Sequence, residues 1–137
     1  MVERLLAHPA LAWLARLALV SPFLVSGVAK LFDVPGAAAE VRSLIDGVPA
    51  GPTAAAVIVI QLVGAALVVG GGRLAWVGAA LLGGFTIAAT VLAHALWTKT
   101  GADRAHDLVT FFEHAGLVGG LALAAILSSM LLRRGTP

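Results

Sequence analysis

Hydrophobic positions along the chain gather into four long runs, separated by short breaks rich in proline, glycine and charge. The first run covers residues 10–32. Pro9 opens it, and Val34-Pro35-Gly36 closes it because proline disfavours helix at the residue before it. A polar turn with Pro49, Gly51 and Pro52 precedes the second run, residues 53–69, for which Thr53 is the expected cap. Gly70-Gly71-Gly72 makes a tight hairpin into the third, residues 74–97. A polar loop then leads to the fourth, residues 105–132, which is either tilted or protrudes by its first turn. Each run comes near the ~20 residues a helix needs to cross a hydrocarbon core. Residues 36–46 are too short and too polar to span. There Ala37, Ala38, Val41, Leu44 and Ile45 recur at helical spacing, with Glu40, Arg42 and Asp46 on other faces. That pattern predicts a short amphipathic helix in the interface. The expected fold is all-α: one integral membrane domain over residues 1–137, a four-helix bundle with an interfacial helix between helices 1 and 2.

Composition agrees. Hydrophobic residues make up 60% of the 137 and charged residues 12%, where a soluble domain carries about 25% charged. Mean hydropathy is +1.00. Arg4 followed by an apolar run imitates a signal peptide, but Arg16 interrupts it and no convincing A-x-A cleavage site follows, so the first run is expected to be a retained helix. Cysteine is absent, which excludes disulfides, thiolate metal sites and thiol redox chemistry. The nine basic residues form no basic run, which argues against nucleic acid and suits interfacial anchors facing membrane lipid. Arg4, Arg73, Arg133 and Arg134 fall on the side of the termini, and Lys30, Arg42, Lys99 and Arg104 on the other. Basic residues therefore give no orientation. The excess of acids on the second side leans towards cytoplasmic termini in a multi-pass plasma (inner) membrane protein.

The glycine-rich faces around Gly64, Gly78, Gly83-Gly84 and Gly119-Gly120 read as sites of close helix packing, compatible also with self-association. Polar residues at membrane depth carry more information, because a charge there costs roughly 2.5–3.5 kcal/mol and usually has a partner or a task. Counting ~1.5 Å per residue from the helix ends brings Ser26, Lys30, Gln61, His94, Glu113 and His114 into one half of the bundle, with Trp97 at its rim. Thr86, Thr90, His94 and Trp97 share a stripe; His106, Thr110, Glu113 and His114 make another. Bland readings stand beside this. Lys30 either snorkels or takes part, Trp97 is a belt residue or a platform, and Gln61 and the threonines are interhelical glue or ligands. Glu113 and His114 diverge by ~100°, so one of them pairs with Lys30 or His94 while the other packs elsewhere. Arg16, in the opposite half, is a second polar site that either snorkels or pairs across the bundle. A haem between His94 and His114 is disfavoured, since the same counting separates them by about 9 Å in depth. No compact metal-ligand spacing occurs.

The order of "ARLALVSPFLVSGVAKLFD", "GAAAEVRSLIDGVP", "VIQLVGAALVVGGGRLAWVGAALLGGFTIAATVLAHALW" and "LVTFFEHAGLVGGLALAA" resembles the DoxX family of small four-helix membrane proteins, from about residue 14 to 125. The resemblance implies a bacterial or archaeal membrane protein tied to quinone-linked redox chemistry, as a small oxidoreductase subunit or in oxidative, catechol or quinone stress. It places the family's first-helix arginine on Arg16, its S-G-x-x-K on Ser26, Gly27 and Lys30, and its third-helix histidine on His94. Two positions depart: Gln61 stands where the family commonly has glutamate, and Glu113-His114 where it commonly has Lys-Asn.

Three functions follow as expectations. The first is a membrane subunit whose polar pocket (Ser26, Lys30, Gln61, His94, Trp97, Glu113, His114) binds a quinone-like ring and relays protons, with electrons from a redox partner protein. The others are a small permease for aromatic compounds and a non-catalytic assembly subunit. No catalytic motif of the chain's own and no firmly bound cofactor are read from the sequence.

Overall fold

The computed structural model describes Val2 and residues 8–134; Glu3 and Arg4, used above in the topology argument, lie outside them. Among residues 8–134 five α-helices follow one another: α1, Pro9–Phe32; α2, Val34–Leu44; α3, Ala50–Gly70; α4, Ala75–Ala93; and α5, Gly101–Arg134. Short 3-10 turns at Gly72–Leu74 and Leu96–Thr98 flank α4. Among the described residues, four segments are long and apolar enough to cross a membrane: Pro9–Phe32, Ala50–Gly70, Gly72–Thr98 and Gly101–Arg133. Large apolar side chains such as Val25 (71% exposed), Phe32 (87%) and Leu123 (67%) face outward. In water such a surface would drive association; against acyl chains it is the expected exterior.

Local chemistry explains where helices begin and end. Asp33 caps α2, its Oδ1 accepting from Gly36 N–H at 2.9 Å, so Pro35 sits in a first turn and starts a helix rather than only ending one. Pro52 likewise lies in the first turn of α3, which begins at Ala50. Thr53 is not its cap: the hydroxyl donates back to Pro49 O at 2.9 Å. α4 stops at Ala93, short of the expected residue 97, because His94 leaves helical geometry (φ −120°, ψ 47°) to meet α5. Inside α1, Pro22 deprives the carbonyl of Ala18 of its usual donor, and the Ser21 hydroxyl supplies one at 2.8 Å.

α3 packs between α1 and α4, α4 between α3 and α5, and α1 meets α5 only sparsely. Val20, Phe23, Ala65, Val68, Ala79, Leu82 and Leu121 form the core. A second cluster, Ala37, Ala38, Val41 and Ala54, fastens α2 to the start of α3. Without a hydrophobic drive between helices in lipid, close backbone approach does the holding. It is tightest where Gly78 faces α3: a Cβ there would come within 2.5 Å of Gly64 O and 2.7 Å of Leu67 Cβ. Gly78→Ala should therefore cost about 1–3 kcal/mol. Gly119→Ala, which meets open space, should stay within about 0.5 kcal/mol. Thermal unfolding of both variants in detergent micelles measures the difference.

Candidate functional site

All four long helices and α2 surround a cavity of about 690 Å³, a volume within the ~300–1,000 Å³ typical of ligand pockets. Its wall is mainly apolar, with polar side chains on two sides.

On the α1–α3 side, one turn of α1 sets Ser26 and Lys30 on the same face. Lys30 Nζ donates to Ser26 Oγ at 3.2 Å and pairs with Glu40 of α2 at 2.9 Å. The ammonium thus neither snorkels freely nor meets Glu113 or His94. Gln61 Nε2 donates to the same Ser26 oxygen at 3.1 Å. Gly27 makes this approach possible, since a Cβ there would lie 2.8 Å from Leu62 Cδ2 and 3.3 Å from Gln61 Cβ. Gln61 is only 2% exposed, and its Oε1 is buried without a partner. An unsatisfied buried acceptor costs roughly 1–3 kcal/mol.

On the α4–α5 side stand the two imidazoles. His94 Nδ1 lies 3.2 Å from Asp107 Oδ1; a carboxylate oxygen only accepts, so Nδ1 carries the proton. Lys99 Nζ reaches Asp107 Oδ2 at 2.5 Å, an attraction of opposite charges rather than a well-aligned hydrogen bond. The Thr90 hydroxyl gives its one proton to Thr86 O at 2.7 Å, so at 2.7 Å from His114 Nδ1 it must accept. The rings of His94 and His114 stand edge to face, with centroids 5.5 Å apart.

That proximity corrects the 9 Å separation counted from the sequence. The counting took His94 as part of a helix continuing to residue 97, whereas α4 stops at Ala93 and His94 lies beyond its end in non-helical geometry. Ser26, Lys30, Gln61, His94 and His114 all line the cavity. Trp97 and Glu113 do not. Trp97 sits in the 3-10 turn, 59% exposed, beside a separate groove of about 300 Å³ shared with Phe111 and His114. Glu113 and His106 are exposed on the outer face of α5. The inward face of that helix runs through Asp107, His114, Leu121 and Ser128, about 100° away.

Sequence reasoning missed Asp107, Lys99 and Glu40 as site residues. Asp107 was readable, because with His114, Leu121 and Ser128 it keeps a strict seven-residue spacing on α5. Arg16, in the other half, pairs across the bundle: Nη2 donates to Ser128 Oγ at 3.2 Å, bridging α1 and α5 where they otherwise meet least. Gly71, at φ 67°, leaves room for the guanidinium, which any Cβ there would strike.

The sequence model of the DoxX family matches residues 11–95. Inner membrane protein YphA of Escherichia coli (strain K12) is 29% identical over 120 residues, covering 88% of this chain and 84% of YphA. No solved structure matches. The family match ends just after His94, so the α5 share of the cavity, His114 and Leu117, lies beyond it, as does Asp107, the partner of His94.

Two substitutions probe this framework by thermal unfolding in micelles. Asp107→Ala strands His94 and Lys99 and should cost about 1–3 kcal/mol, with Asp107→Asn milder because it still offers His94 an oxygen. Arg16→Met should loosen the α1–α5 seam by about 1 kcal/mol.

Proposed function

The chain belongs to the DoxX family, and from that premise we propose that it is a multi-pass inner-membrane protein whose cavity takes a quinone-like aromatic ring. The observation that carries this reading is the composition of the wall. An apolar space of about 690 Å³ is met on one side by Ser26, Gln61 and Lys30 and on the other by two imidazoles. Such a wall suits a flat apolar ring with polar atoms at its edge. The unpartnered Oε1 of Gln61 supports a ligand further, because a ligand atom would relieve its desolvation.

Interconverting a quinone and its hydroquinone moves two electrons and two protons. Electron transfer falls to a redox partner protein, and the chain's own residues handle protons. Asp107 holds the Nδ1 proton of His94 and would stabilise the imidazolium when Nε2 takes up a proton. Lys99, 37% exposed in the loop before α5, pairs with Asp107 and connects this side of the site to water. His114, within ring contact of His94, offers a second proton-exchanging nitrogen. Lys30 has a smaller electrostatic part than the sequence suggested. Glu40 already compensates its charge, so it acts by fixing Ser26.

Equilibrium dialysis of the purified protein in micelles against tetramethylquinone and its hydroquinone tests the reading. At least one form should bind, and His94→Ala should weaken that binding about tenfold, or ~1.4 kcal/mol. Retention of neither form, or unchanged affinity in the variant, would count against a ring pocket.

A further inference from the structure

The hydrogen-bond roles around the cavity are unequal. The Nδ1 proton of His94 is committed to Asp107 and that of His114 to Thr90, so each neutral imidazole has Nε2 left, and Nε2 is then an acceptor. Gln61 adds a third. Its Nε2 is engaged by Ser26, and its Oε1, in a side chain only 2% exposed, has no donor. Ser26 Oγ receives two donors, Lys30 Nζ and Gln61 Nε2, and so does not compete for a ligand's proton. Three unfilled acceptors therefore belong to residues that line one apolar cavity, drawn from both its sides.

We propose that this cavity selects the hydroxyl-bearing, reduced form of an aromatic ring, with Gln61 as the residue that reads the hydroxyl. A ring carbonyl brings only lone pairs and would leave Gln61 Oε1 and the two Nε2 atoms facing an acceptor. A ring hydroxyl donates to one of these atoms and still accepts, from the Ser26 hydroxyl proton among others. Sites built to hydrogen-bond a hydroxyl reject analogues lacking it strongly, because their buried polar groups are then left unpaired. Selection concerns binding alone and requires no electron transfer by the chain. It rests on the ring-pocket reading above and adds which oxidation state is held.

Three ligands of nearly one shape separate the possibilities: tetramethylhydroquinone, tetramethylquinone, and the dimethyl ether of the hydroquinone, which keeps both oxygens but has no proton to give. Dissociation constants are measured for the purified full chain in anaerobic detergent solution at about pH 7.5, where an ordinary imidazole is mostly neutral. The hydroquinone should bind at least about tenfold more tightly than either of the others. Gln61→Met, which fills the same space without an acceptor, should shrink that preference to about threefold or less. Gln61→Glu, whose carboxyl keeps an acceptor oxygen at this position, should keep it. Equal affinity for all three ligands in the unmodified protein overturns the inference while leaving the ring pocket standing, and it needs no variant to fold. Tighter binding of the quinone overturns it too, and signifies a Gln61 amide turned to present N–H. Binding of none of the three removes the ring pocket, and this inference with it.

Discussion

A hydrocarbon core offers no water to a stranded charge or an unpaired hydrogen-bonding group, so each one needs a partner from its own or a neighbouring helix. The positions of the helices follow from that requirement as much as from packing. Lys30 of α1 meets Glu40 of α2, Lys99 meets Asp107 of α5, His94 meets the same Asp107, and Arg16 of α1 meets Ser128 of α5. Two of these contacts join helices that otherwise touch sparsely, α1 with α2 and α1 with α5, while His94–Asp107 reinforces the extensive packing of α4 on α5. Arg16 and Ser128 close the bundle in one half, and Lys30, Glu40 and His94 frame the cavity in the other.

Close packing and the cavity are complementary outcomes of where small residues lie. Gly64 against Gly78 brings α3 and α4 together, and Gly27 lets α3 approach α1 closely enough for Ser26 to reach Gln61. α2 adds a cover that lies neither free on the membrane nor far from the site. Its apolar face binds Ala54 of α3, and Glu40 anchors it to Lys30. Ala37, Glu40 and Val41 consequently belong to the cavity wall. The interfacial helix is part of the site rather than a connector.

Much of this was legible in the sequence, because the strongest constraint acts on single helices. Four apolar runs and an amphipathic segment declare themselves through length and periodicity, and residue counting brought Ser26, Lys30, Gln61, His94 and His114 to a common half. What sequence could not decide was rotation about a helix axis. Glu113 and His114 are neighbours in the chain, yet only His114 turns inward. The face of α5 is set by Leu121 packing in the core and by Ser128 reaching Arg16, two contacts over a turn further along. Trp97 shows another limit. No glycine or proline announces the departure from helix at His94, which is secured by Asp107 thirteen residues later. Asp107 stands in the first turn of the expected fourth run beside the polar neighbours Asp103 and Arg104, which masked the inward stripe it begins.

The charges bordering the cavity also constrain what enters it. Lys30 is matched by Glu40 and Lys99 by Asp107, so each ammonium has its own carboxylate at contact distance and neither is left over for a ligand. An anion entering from water would lose hydration and gain no unmatched cation, whereas a neutral ring loses little and gains apolar contact with the wall. Unfilled capacity lies in uncharged acceptors, Gln61 Oε1 and the imidazole nitrogens, which attract a donor proton without demanding a charge. Charge balance thus favours a neutral guest, and the imbalance between acceptors and donors favours one that carries a hydroxyl. The two arguments are independent, since the first depends on the ion pairs and the second on the direction of each hydrogen bond, and they converge on the same chemistry.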